Sequence, residues 1–238
     1  MTAAFDTQRL RVPILDELRG FDILAMILYH LAYDLIALGV WDLPFFFSGW
    51  MNLVRDVFAG AFIVISGICC LYSRSNLKRG VSCLLAAVLV EGATALIPGM
   101  SIRFGILHLL GWSMALTGLW EHFWAKVPEK AGLLAASACF LAGYLLMPWM
   151  RAFPLAGNGL YRLGFPGEGF SSSDYFPLIP WLFLFWAGYF GGQLLRRQGL
   201  LRPGRPAFPF LSLCGRHSLW IYLLHQPVLA IFLFFIQK

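Results

Sequence analysis

Seven apolar runs, at residues 14 to 38, 51 to 72, 79 to 98, 103 to 120, 131 to 150, 177 to 195 and 214 to 236, are separated by short polar segments. Several approach the roughly 20 residues with which an α-helix crosses a bilayer, so the pattern predicts an all-α, polytopic transmembrane helix bundle of about seven spans. Composition agrees. Of the 238 residues 59% are hydrophobic and 13% charged, against roughly 25% charged in soluble domains. The aqueous loops leave no room for a soluble catalytic domain, a nucleic-acid module or a disordered tail, and any chemistry must sit among the helices. No internal repeat or low-complexity tract divides the chain, and a single integral-membrane domain over residues 1–238 is expected.

Charge changes the picture only by orienting it. A formal net charge of +6 would suggest nucleic acid in a soluble protein, but here the cations fall mainly in alternate loops. With a cytoplasmic N-terminus the inner segments hold Arg9, Arg11, Arg74, Lys78, Arg79, Lys126, Lys130, Arg196, Arg197, Arg202 and Arg205, and the outer ones Arg103, Arg151, Arg162 and Lys238. That asymmetry predicts the N-terminus inside and the C-terminus outside, makes the lipid bilayer the partner, and discards nucleic acid. Asp16, Glu17, Arg19 and Asp22 precede the first apolar stretch and no small-residue cleavage site closes it, so the first span is read as retained. The outer loop, 151 to 176, is rich in Gly, Ser, Pro and aromatics and suits either an ordered cap over a cavity or a flexible connector. Cys69, Cys70, Cys83, Cys139 and Cys214 lie in or beside apolar runs without a CxxC pair and read as small core residues.

Ionisable residues inside the apolar runs carry the functional signal. A charge near the bilayer centre costs at least about 2.5 kcal/mol and persists mainly where it lines a cavity. His30, Asp34, Glu91, His108 and His225 qualify, whereas Arg55 starts close enough to a membrane face to snorkel. His30 lies eleven residues beyond Arg19, Glu91 twelve beyond Arg79 and His225 nine beyond Arg216, while His108 enters from the other side, five past Arg103. Polar groups from four helices are therefore expected to converge. Each also has a plainer reading: His108 and His225 as helix–helix hydrogen-bonding residues, Glu91 as a packing partner of a neighbouring histidine. Asp34, four residues after His30, either orients the imidazole or ends its helix at the interface.

The first run holds the sharpest pattern, an arginine and a histidine with ten residues between them. Eleven steps of about 100° return to within roughly 20° of the start, so Arg19 and His30 share one stripe, roughly 16 Å apart along the axis. Arg19 is suited to phosphate as a permanently charged bidentate donor, and the deeper His30 to proton transfer from a nucleophile. A long ligand with phosphates at one end and a reactive group at the other fits between them, and coenzyme A thioesters have that shape.

The segments LDELRGFDILAMILYHLAYDL, FAGAFIVISGICCLYSR, IRFGILHLLGWSMAL, DYFPLIPWLFLFWAGYFGG and LCGRHSLWIYLLHQPVL, in this order, resemble the heparan-alpha-glucosaminide N-acetyltransferase catalytic-domain family in its short bacterial form, from about residue 10 to 235. The Arg19 and His30 spacing is also similar to a motif of the wider transmembrane acyltransferase superfamily, whose matching histidine is regarded as catalytic and whose arginine serves the acyl-CoA. The resemblance implies an acyl-CoA-dependent acyltransferase of a bacterial inner membrane. It would take acetyl-CoA from the cytoplasm and pass the acetyl group to an extracytoplasmic sugar amine or hydroxyl. By carry-over His30 is the base, Arg19 holds the donor, and Arg74, Lys78 and Arg79 add phosphate contacts. Glu91, His108 in FGILHLLG, and His225 with Gln226 in YLLHQP, are expected to line the cavity, polarise the thioester or bind the acceptor. Family behaviour also points to a homodimer, on which the spacing is silent. One departure stands out: lysosomal members use a histidine in the first luminal loop, and the corresponding VWDLPFFFSGW has none.

The mechanism expected is direct transfer, with His30 as base and Asp34 orienting it, or transfer through an acetyl-histidine. A different class, a small proton-coupled transporter or flippase, would use the same histidines and Glu91 as a proton relay. A third reading is an assembly protein in which the polar residues are helix-packing glue. No HExxH or GxSxG motif is present and the histidines lack ligand spacing, so no metal is predicted.

Overall fold

The computed structural model describes residues 11–97, 100–152 and 160–236. Arg9 and Lys238 of the charge pattern and residues 153–159 of the outer loop lie outside them. Every regular element among the described residues is helical: α1 (Pro13–Ala37), α2 (Gly49–Cys69), α3 (Asn76–Ala95), α4 (Ile106–Leu119), α5 (Glu121–Trp124), α6 (Glu129–Ala152), α7 (Leu178–Arg197), α8 (Pro209–Arg216) and α9 (Ser218–Ile236), with 3-10 turns at Pro44–Phe47, Cys70–Tyr72 and Leu160–Leu163. The long helices fall within a few residues of the predicted runs. The last run differs, because the chain breaks at His217 into a short α8 and a long α9.

Five helices, α1, α2, α6, α7 and α9, are long and apolar enough to cross a membrane. The other two long ones fall short for different reasons. α3 carries Lys78, Arg79 and Glu91 among its 20 residues. α4 has 14 residues, about 21 Å at 1.5 Å per residue against a hydrocarbon core of about 30 Å. The outward faces are apolar: Leu89, Leu134, Trp149 and Phe235 are 69% to 78% exposed. Such a surface belongs in lipid, and the chain is an integral membrane protein.

Local chemistry explains four of the helix starts. Pro13 and Pro209 open α1 and α8 where a missing N–H is harmless. Ser48 and Ser75 accept from the N–H groups of Met51 and Lys78, at 3.4 and 3.2 Å, to start α2 and α3. α4 is capped from elsewhere in the chain. Gly105 stands where a capping side chain would be, and Asp174 Oδ2, 68 residues on, accepts the N–H of Ile106 at 3.0 Å. A Cβ at position 105 would run into that carboxylate.

Glycines let the helices approach. α1 packs on α8 and α9, α2 on α7, α3 on α4 and α6 on α7. A Cβ on Gly20 of α1 would strike the carbonyl of Leu211, and one on Gly215 of α8 the carbonyl of Asp16. Gly67 and Gly188 stand in the same relation between α2 and α7. In lipid no hydrophobic force draws helices together, so this close packing is a main source of their association. Ile63, Leu109 and Phe185, all 0% exposed, form the centre where α2, α4 and α7 meet.

Gly20→Ala is expected to lower stability by about 3 kcal/mol, the upper end of the overpacking range, since backbone rather than a movable side chain stands in the way. Gly92→Ala in α3, with no atom within 4 Å of the added methyl, should be neutral or gain up to about 1 kcal/mol from helix propensity. Melting temperatures of the two variants in the same detergent compare them directly.

Candidate active site

A cavity of about 1660 Å³ runs along the inside of the bundle. α1 lines it from Arg19 to Asp34 and α3 from Lys78 to Thr94. Fifteen residues of α1 amount to about 22 Å of rise, most of the thickness of a bilayer core. The two ends differ in chemistry.

At the first end Arg19, Lys78, Arg79 and Arg216 line the wall. Arg19 Nη2 donates to Ser218 Oγ at 2.6 Å, its guanidinium carbon lies 5.7 Å from the centre of the Phe62 ring, and its Nε is buried without a partner. The close crossing of α1 and α8 at Gly20 and Gly215 holds the arginine's backbone, and the break at His217 brings Ser218 beside it. Arg79 reaches back to the carbonyl of Cys69 at 3.4 Å. Arg74, grouped with these by the sequence, is exposed and is not part of the wall. Asp22 is part of it. This carboxylate is 5% exposed, one turn beyond Arg19, a position the sequence pattern assigned to the polar approach to the first span.

Midway, α1 brings His30 and α9 brings His225 together, with ring centroids 5.0 Å apart. His225 Nδ1 lies 2.5 Å from the backbone carbonyl of Tyr222, and its Nε2 is buried without a partner. Gln226 lines the wall beside it. Asp34 also lines the wall but makes no hydrogen bond to His30, so the orienting contact that the i, i+4 spacing allows is not formed.

Carboxylates gather at the far end. Asp56 accepts from Arg55 at 2.8 Å and from the hydroxyl of Tyr144 at 3.0 Å. Asp174 Oδ2 accepts both the Ile106 N–H and the Tyr222 hydroxyl, the latter at 3.2 Å. Neither residue stands out in the sequence, since Asp174 works across 68 and 48 positions. Of the outer loop, the segment 171 to 176 forms an ordered wall here: Arg103 N–H donates to Ser172 Oγ at 2.8 Å and Phe176 N–H to the Phe104 carbonyl at 3.1 Å. Arg55, set aside as a snorkelling residue, also faces the cavity.

The expected convergence of four helices resolves into two separate pairs. His108 Nε2 stands 3.2 Å from Glu91 Oε2, with Phe104 stacked on the imidazole at 5.3 Å. Neither Glu91 nor His108 lines the cavity. They form a polar clamp between α3 and α4, the packing role that was open for Glu91 from the sequence. Among the described residues no three His, Cys, Asp or Glu side chains are grouped as a metal ion would require.

The family model described as heparan-alpha-glucosaminide N-acetyltransferase, catalytic, matches residues 11–227. No curated protein and no solved structure matches the chain.

Burial pushes the Asp174 carboxyl above the usual carboxylate range, against the opposing pull of the Ile106 N–H and the Tyr222 hydroxyl. A raised value in the folded state means stability that is complete below the ordinary carboxylate pKa and is lost as pH climbs through the raised one. As the pH climbs from about 4, the ordinary carboxylate value, the melting temperature of the wild type should therefore fall relative to that of Asp174→Asn, which cannot ionise. Asp174→Ala, which removes the cap, should cost about 1 kcal/mol at about pH 4 and less as the pH rises, since alanine cannot ionise either.

Proposed function

Since the chain belongs to the heparan-alpha-glucosaminide N-acetyltransferase catalytic family, an acetyltransferase family, we propose that it moves an acetyl group from cytoplasmic acetyl-CoA to a sugar amine or hydroxyl on the far side of a bacterial inner membrane. The observation that carries this reading is one cavity whose wall holds Arg19, Lys78, Arg79 and Arg216 and, further along α1, the facing rings of His30 and His225. Arg19 has an unpartnered Nε and neighbours of like charge, a setting for the phosphates of the donor. The pantetheine arm would follow the α1 stripe to His30. The apolar walls would keep water from the thioester.

At the centre His30 takes the proton from the acceptor nitrogen or oxygen as it attacks the thioester carbonyl. The new bond to the acetyl carbon forms, the carbon–sulfur bond breaks, and the proton passes to the leaving thiolate. The Gln226 amide is a candidate donor to the oxyanion. Asp34, Asp56 and Asp174 would border the acceptor. Arg74, Glu91 and His108, outside the cavity wall, take no part in this scheme.

The reach of the cavity toward both ends of the bundle favours a second reading, a proton-coupled transporter or flippase. Coenzyme A release separates the two. Solute flux in proteoliposomes with no free thiol formed from acetyl-CoA supports the transporter and sinks the transferase.

For the purified protein, acetyl-CoA at about 100 times its dissociation constant should stabilise the fold by roughly 2.7 kcal/mol. Arg19→Ala should lose most of that shift, and His30→Ala should keep it while abolishing transfer to a glucosamine acceptor. A well-folded wild type that no coenzyme A species stabilises would overturn the reading.

A further inference from the structure

His30, the proposed base, has no hydrogen-bonding partner that sets which of its nitrogens is bare. The group nearest to that task is a second histidine. His225 Nδ1 is 2.5 Å from the Tyr222 carbonyl oxygen, and a carbonyl only accepts, so Nδ1 carries the hydrogen. In the uncharged ring Nε2 is then a lone pair, and that lone pair is buried with no partner. Buried acceptors in native proteins are rarely left so, and the exceptions call for an explanation. The His30 ring is the neighbour that can supply one.

The separation fits. Two imidazoles joined nitrogen to nitrogen at about 2.9 Å have centroids about 5 Å apart, and these stand at 5.0 Å with planes inclined by 48°. The distance of a ring-to-ring hydrogen bond is already set, and only ring orientation differs from it. The support behind His225 is firm. The Tyr222 whose carbonyl holds Nδ1 is itself anchored through its hydroxyl to Asp174, and the same carboxylate oxygen caps α4. A shift of the α9 turn would break contacts on two other elements.

Resting on the acetyltransferase reading, we propose that His225 is a positioning residue whose Nε2 accepts a hydrogen bond from His30 when the donor is bound, leaving the opposite nitrogen of His30 bare toward the acceptor. His225 moves no proton. The acceptor's proton goes to His30 and from there to the thiolate. The chain Tyr222 carbonyl, His225, His30 then does what a carboxylate does behind a catalytic histidine elsewhere, without placing a negative charge in the membrane.

The test is nitrogen-15 solid-state NMR on histidine-labelled protein in lipid bilayers with acetyl-CoA bound, the His30 signals being assigned by their loss in His30→Gln. In the wild type His30 should show one protonated and one bare nitrogen, with a through-hydrogen-bond correlation to His225 Nε2. His225→Gln, whose amide oxygen can accept, should keep the single tautomer; His225→Leu should show both. Turnover should drop about 100-fold in His225→Leu, the lower end of what a general base contributes, and less than 10-fold in His225→Gln, with the donor KM unchanged in both. The absence of the correlation in the wild type, which needs no variant to fold, overturns the proposal, as does an unchanged His30 tautomer in His225→Leu. Failure of acetyl-CoA to stabilise the wild type would instead count against the acetyltransferase reading, because the ring nitrogens report their state whether or not transfer occurs.

Discussion

Inside a bilayer no water is available to satisfy a polar group that loses its partner, and this constraint organises the molecule. Backbone groups are closed within helices, and the ionisable side chains deep in the apolar runs, His30, Asp34, Glu91, His108 and His225, either pair with one another or face the cavity. Glu91 and His108 show the first solution, a polar clamp between neighbouring helices. Arg19, Asp22, His30 and His225 show the second, and the atoms among them that remain unpaired, Arg19 Nε and His225 Nε2, lie in residues that line the cavity. Of the unpaired buried polar side-chain atoms among the described residues, these two belong to residues of the cavity wall.

The cavity exists because the helices pack in pairs rather than around one common axis. Glycine crossings draw α1 onto α8, α2 onto α7 and α3 onto α4, leaving a central volume bordered by members of different pairs. The same crossings hold the site residues. Gly20 follows Arg19 directly, so a close helix crossing of α1 fixes the base of the side chain proposed to hold the donor. Asp174 does corresponding work elsewhere in the wall, joining the outer loop, the start of α4 and the second turn of α9.

Much of this was legible in the sequence where the signal is local. The apolar runs located the long helices to within a few residues, and the eleven-residue interval placed Arg19 and His30 on one stripe that the cavity follows. The resemblance of the five segments was met by a family match over residues 11–227. Residues whose role depends on distant partners were not legible. Asp174 is one aspartate in a serine-rich loop until the fold brings it to the Ile106 N–H, and Ser218 one serine after a predicted boundary until the chain breaks at His217. Nearness in sequence is also not nearness in space: Arg74 sits four residues from Lys78 yet outside the wall, and His108 stands against Glu91 rather than beside His30.

Helix formation and membrane residence were thus determined by the sequence itself, since hydrophobic length and the 3.6-residue period act over short stretches of chain. Which polar residues share a site was decided only by the tertiary structure. Whether a histidine in the fourth helix faces a cavity or a neighbour depends on the rotation and crossing of helices, and these are set by contacts such as Gly20 with Leu211 and Asp174 with Ile106 between residues far apart in the chain.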